Sequence, residues 1–85
     1  MTRFDVIWAD RALRTLRTLD RSVQKRILLR LEAVREDPLR FVHRVVRSSA
    51  YRLRVGDYRL VLDIETAALR ILVLKVGPRE HVYDR

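Results

Sequence analysis

Between Tyr51 and Leu62, apolar and charged residues alternate on both sides of a Gly-Asp pair, a pattern that few arrangements other than a two-stranded ribbon accommodate. Tyr51, Leu53 and Val55 point to one side of an extended strand, and Arg52 and Arg54 point to the other. Gly56-Asp57 then supplies a two-residue loop that can reach positive φ, so the segment reads as a β-hairpin. With those two residues as the loop, Val55 pairs with Tyr58, Arg54 with Arg59, Leu53 with Leu60, Arg52 with Val61 and Tyr51 with Leu62. Arg52, Arg54 and Arg59 therefore share one face. Like charges placed directly opposite are destabilising, by roughly 0.2–1 kcal/mol a pair. The pairing of Arg54 with Arg59 points to an anion on that face; the competing reading is a solvated basic surface on a chain rich in arginine throughout.

The rest of the chain supplies what such a hairpin needs to pack against. Phe4, Val6 and Trp8 alternate with Arg3, Asp5 and Ile7 as a first strand. Asp10 is a cap for a helix in which Leu13, Leu16 and Leu19 recur at helical spacing. A second helix begins at Asp20, carries the stripe Val23, Ile27, Leu31 and Val34 widened by Leu28, and ends by Asp37 because Pro38 follows. Residues 37 to 48 form a connection without a clear period, in which Val45 and Val46 are able to extend a strand backwards. After the hairpin, Glu65-Thr66-Ala67-Ala68 turns the chain. Leu69 to Val76 is then a nearly continuous apolar run suited to a central strand, ended by Gly77-Pro78. The expected fold is α+β, in the order β-α-α-β-β-β, with a mainly antiparallel sheet and a helical hairpin covering one face. The place of the first strand in that sheet stays open.

Length and composition bound the function. Residues 1–85 make a single domain, and 48% hydrophobic residues suffice for one thin core. Without cysteine there is neither a disulfide nor a thiolate metal site, and His43 and His81 lack the spacing of a zinc site. No apolar run approaches the roughly 18 residues of a membrane span, so a cytoplasmic protein is expected. The net charge of +8 comes from seventeen arginines and two lysines against eleven acids, and it favours nucleic acid, an acidic protein or an anionic surface as partner. Arginine presents a fixed fork of donors that fits phosphate and stacks on bases. The basic residues of the two helices read as solvated surface.

No nucleophile system with a neighbouring base is visible, and no glycine-rich phosphate loop exists. Asp57 and Asp63 lie among arginines in the sequence, surroundings that do not suit a catalytic carboxylate pair. What remains is the arginine cluster and a tail in which Arg79, His81 and Tyr83 follow in turn. The run Tyr51-Arg52-Leu53-Arg54-Val55-Gly56-Asp57-Tyr58-Arg59-Leu60-Val61, the strand Ile71 to Val76, then Gly77-Pro78-Arg79 and Tyr83, resemble the RelE/ParE superfamily of toxins from prokaryotic toxin-antitoxin modules. The resemblance covers nearly the whole chain.

It implies two activities on one fold. RelE-like members cut messenger RNA in the ribosomal A site, whereas ParE-like members inhibit DNA gyrase. The arginine and tyrosine set favours the first, a ribosome-dependent endoribonuclease, over a gyrase inhibitor or an inactive nucleic-acid-binding protein of the same fold. By matched positions, the resemblance places Arg59 and Arg79 at the scissile phosphate and Arg52 and Arg54 at the flanking RNA. Tyr83 stacks on a base or accepts a proton, with His81 as a further RNA-binding candidate. Pro78 departs from the pattern, since a histidine or other polar residue often precedes this arginine. Neither cofactor nor metal is implied. The implied partners are the ribosome with its mRNA and a cognate antitoxin, often acidic, that wraps the toxin.

Overall fold

The computed structural model describes residues 3–78, and its elements follow β1 (Asp5–Trp8), α1 (Asp10–Thr18), α2 (Arg21–Val34), α3 (Pro38–Phe41), β2 (His43–Arg44), β3 (Tyr51–Val55), β4 (Tyr58–Glu65) and β5 (Arg70–Pro78). The five strands form one sheet in the order β1-β5-β4-β3-β2. All neighbours pair antiparallel except β1, which runs parallel to β5 from Asp5 opposite Arg70 to Trp8 opposite Val73.

The hairpin has the register that its alternation and two-residue loop require, with Arg54 opposite Arg59 and Leu53 opposite Leu60. Gly56 takes φ +58, a conformation that strains any residue with a Cβ. Leu53, Leu60, Leu62, Ile71 and Val73 have no exposed surface, and they join Ala12, Leu16, Ile27, Leu31 and Val34 of the helices in one core. Both helices therefore lie on the same side of the sheet, α1 over β5 and α2 beside β3. The opposite side carries Arg52, Arg54 and Arg59.

A bulge reconciles the last two strands with this two-sidedness. Lys75 lies opposite Val61, yet Val73 lies opposite Leu62, which leaves Leu74 as an extra residue in β5. Val73 and Val76 are an odd number of residues apart, and the extra residue lets both face the core. The strand does not stop before Gly77-Pro78 but includes them: Gly77 pairs with Arg59 and Pro78 with Tyr58. Proline is tolerated there because β1 stops at Val73 and leaves this stretch of β5 without a neighbour on its other side among the described residues. Leu72 and Leu74 are only half-buried, so β5 is covered fully on one face alone.

Several local expectations are corrected. Asp10 is the first helical residue rather than the cap. The chain leaves β1 through Ala9, whose N–H bonds the Val73 carbonyl while its own carbonyl accepts from Leu13. The second helix ends at Val34, before Asp37 as expected, but Pro38 is not merely a stop: it opens the short α3 at a position where its missing N–H costs no helical bond. The backward strand extension is the separate two-residue β2, set off from β3 by a turn in which Arg47 takes φ 61 and Val46 is exposed. Leu28 stays outside the core at 45% exposure, so the buried stripe of α2 is narrower than its sequence suggests.

Leu60→Ala should lower unfolding free energy by about 2–5 kcal/mol in urea denaturation, because the side chain sits where β4, β3 and β5 meet. Leu29→Ala, on the exposed side of α2, should change it by no more than about 0.5 kcal/mol.

Candidate nucleic-acid interface

A two-residue loop closes on a hydrogen-bonded pair, here Val55 and Tyr58, so the alternation of an antiparallel ladder puts Arg54 and Arg59 at the next, closer-spaced position. One row further, His43, Arg52, Val61 and Lys75 stand side by side across four strands. Gly77 continues the Arg54–Arg59 row, so no side chain stands beside Arg59 from β5.

These rows border a concave cavity of about 400 Å3 lined by Arg30, Phe41, His43, Arg52, Arg54 and Arg59. Four guanidinium groups and an imidazole thus meet an aromatic ring, and no carboxylate is among the described lining residues. Arg30 comes from α2, which contacts β3, and Phe41 is the last residue of α3, just before β2 pairs with the start of β3. Their side chains are in contact: the Arg30 guanidinium carbon lies 5.4 Å from the Phe41 ring centre, and that of Arg40 lies 5.6 Å from the same ring. Arg30 and Arg54 also line a wider groove of about 800 Å3 that continues past Arg26 and Leu29 to Gly56-Asp57.

The described salt bridges lie elsewhere. Among the described residues, Arg3 and Arg35 pair with Glu32 at 3.2 and 2.9 Å, and Arg70 pairs with Glu65 at 3.1 Å, all away from the cavity. Arg30 and Arg54 take part in no described salt bridge. Such a concentration of guanidinium groups in a concavity suits a polyanion, because arginine forks bind phosphate oxygens in pairs and the walls limit competing water. No group of three or more His, Cys, Asp or Glu side chains placed to hold a metal ion occurs among the described residues.

The structure thus brings Arg52, Arg54 and Arg59 together on the face read from the hairpin. Arg79, His81 and Tyr83 lie outside the described residues. Sequence reasoning missed Arg30, Phe41 and His43 as cavity residues. Alternation carried one pair back across β2 would have placed His43 beside Arg52, but nothing local signals that Arg30 and Phe41 wrap round the sheet edge.

A family model described as the ParE toxin of the type II toxin-antitoxin system parDE matches residues 6–83. Among solved structures, the chain is similar to the toxin-antitoxin complex RelBE2 from Mycobacterium tuberculosis, with 23% identity, 93% of this chain and 94% of that one covered, and a TM-score of 0.85. It is similar to an archaeal RelE-RelB complex from Pyrococcus horikoshii at 24% identity, with 92% and 97% covered and a TM-score of 0.79. It is also similar to E. coli toxin RelE in the free state, in a form with two arginines changed to alanine, at 27% identity, with 95% and 87% covered and a TM-score of 0.77. No curated protein matches the chain.

Removing one charge of the directly opposed arginine pair should stabilise the fold. Arg54→Thr, which keeps a good strand former, is expected to raise stability by about 0.2–1 kcal/mol at low ionic strength, and the gain should shrink as salt screens the pair. Urea denaturation at two salt concentrations measures both.

Proposed function

The chain belongs to the ParE toxin family of type II toxin-antitoxin systems, within the RelE/ParE superfamily, and from that membership we propose that it is a ribosome-dependent endoribonuclease that cuts mRNA in the ribosomal A site. The observation that carries this reading is the cavity that Arg52, Arg54 and Arg59 line together with Arg30, Phe41 and His43.

RNA brings its own nucleophile, so the protein need only hold the chain in line and stabilise charge. The 2′-oxygen attacks the adjacent phosphorus and loses its proton to a base, while the bond to the 5′-oxygen breaks and that oxygen gains a proton. A 2′,3′-cyclic phosphate and a 5′-hydroxyl result. In this reading Arg59 and Arg79 bind the scissile phosphate, where two negative charges develop in the transition state. Arg52 and Arg54 bind the flanking backbone, with His81 as a further contact to RNA. Tyr83 stacks on the base beside the cut or accepts the 2′-hydroxyl proton. The reaction takes place in the cytoplasm, and among the described residues no helix is long and apolar enough to cross a membrane.

A cognate antitoxin holds the toxin inactive in this proposal. Structures of similar fold include toxin-antitoxin complexes, and a net charge of +8 suits an acidic partner. The second reading, gyrase inhibition, is favoured by the family model, whose description is that of ParE.

Translation of a defined message in a reconstituted system, with cuts mapped by primer extension, separates the two readings. Cleavage should require ribosomes, and Arg59→Ala combined with Arg79→Ala should slow it by at least about 100-fold, the scale seen when one donor to a developing oxyanion is removed. An intact message together with inhibited gyrase supercoiling would replace the nuclease reading by the gyrase one.

A further inference from the structure

We propose, on the RNA reading of the same cavity, that Phe41 and Arg30 form a stacked platform that binds a nucleobase next to the phosphate held by the opposed arginines. The site would then recognise a nucleotide as a unit rather than a phosphate alone.

Phe41 is half-buried and packs against the core, so its ring is held in place while its remaining surface lines the cavity. Arg30 lies against that ring at 5.4 Å and lines the cavity as well. Arg40 lies 5.6 Å from the same ring but is not among the cavity's lining residues. A planar guanidinium backed by a fixed aromatic ring is a flat cationic surface on which an unstacked base can lie, and single-stranded RNA is recognised through such surfaces. Arg52, Arg54 and Arg59 border the same cavity. A site that only neutralised phosphate would need the guanidinium groups and no ring. The cavity volume of about 400 Å3 lies within the range of roughly 300–1,000 Å3 typical of small-ligand sites. The wider groove past Arg30 and Arg54 gives the strand a path onward.

Fluorescence anisotropy at low salt, with a short labelled single-stranded RNA and an oligomer of equal length whose central nucleotides lack bases, tests the platform. The intact oligomer should bind about tenfold more tightly than the abasic one, the scale of one base stacked on an aromatic side chain. Phe41→Leu, which keeps an apolar side chain, should bring the intact oligomer close to the abasic level. Phe41→Tyr should preserve the difference, and Arg30→Lys, which keeps the charge without the plane, should reduce it. Arg54→Thr should weaken both oligomers alike. A 2-aminopurine in the central position should be quenched on binding to the unsubstituted protein and to Phe41→Tyr, with less quenching by Arg30→Lys. If Phe41→Leu unfolds, Phe41→Tyr and Arg30→Lys carry the comparison. An intact-to-abasic ratio that survives Arg30→Lys and Phe41→Leu, while Arg54→Thr still weakens both oligomers, overturns the platform and leaves the RNA reading standing. If neither oligomer binds, or Arg54→Thr changes nothing, the RNA reading fails and the platform with it.

Discussion

The burial of Leu53 against Leu60 decides where the hairpin arginines of the cavity stand. Strand side chains alternate with a period of two, so sealing these leucines under the helices turns Arg52, Arg54 and Arg59 to the other side. A slip of one residue would carry the arginines into the core, which is why the register admits no neighbouring solution. Burying each leucine is worth about 1.5–3 kcal/mol, against roughly 0.2–1 kcal/mol lost to the like-charge pair, so the core wins. Hydrophobic packing on one side of the sheet thereby gathers these arginines on the other.

The same logic segregates charge along the sheet. At the β1 edge, Arg35 donates from Nε to the Phe4 carbonyl at 2.7 Å and accepts the Phe4 N–H on its own carbonyl at 3.0 Å, closing α2 onto the start of β1. Glu32 and Glu36 gather round Arg3, and Asp5 stands 4.0 Å from Arg35. Among the described residues, carboxylates thus pair with arginines where the chain is clasped, and the lining of the cavity at the opposite edge is cationic and aromatic. The bulge at Leu74 completes the division by putting Val73 and Val76 in the core and Lys75 on the arginine side.

What was legible in the sequence is what short-range geometry dictates. The hairpin, its register and the common face of Arg52, Arg54 and Arg59 follow from alternation and one loop, and the two longer helices from their apolar spacing. The parallel pairing of β1 with β5 was not legible, because no turn links them and any parallel register leaves the local pattern unchanged. α3 and β2, at four and two residues, are too short for a period to show. Asp10 was misread because a tertiary bond from Ala9 to the Val73 carbonyl pins the chain one residue before the expected cap. Arg30 looked like a solvated helix residue since its role depends on α2 running beside a sheet edge that only the assembled fold creates.

β5 lies between β1 and β4, so the strand synthesised after the other four joins the opening strand to the hairpin. Until β5 leaves the ribosomal tunnel, the nascent chain holds the three helices, an unattached β1 and a hairpin, edged by the short β2, of a kind that is marginally stable alone. Leu60 and Leu62 lack their partners Val76 and Val73, and nothing yet enforces the leucine burial that sets the arginines in place. Closing the sheet joins residues from opposite ends of the sequence, a slow kind of contact. The sheet that places the hairpin arginines is therefore complete only once β5, the last of the described strands, has been made.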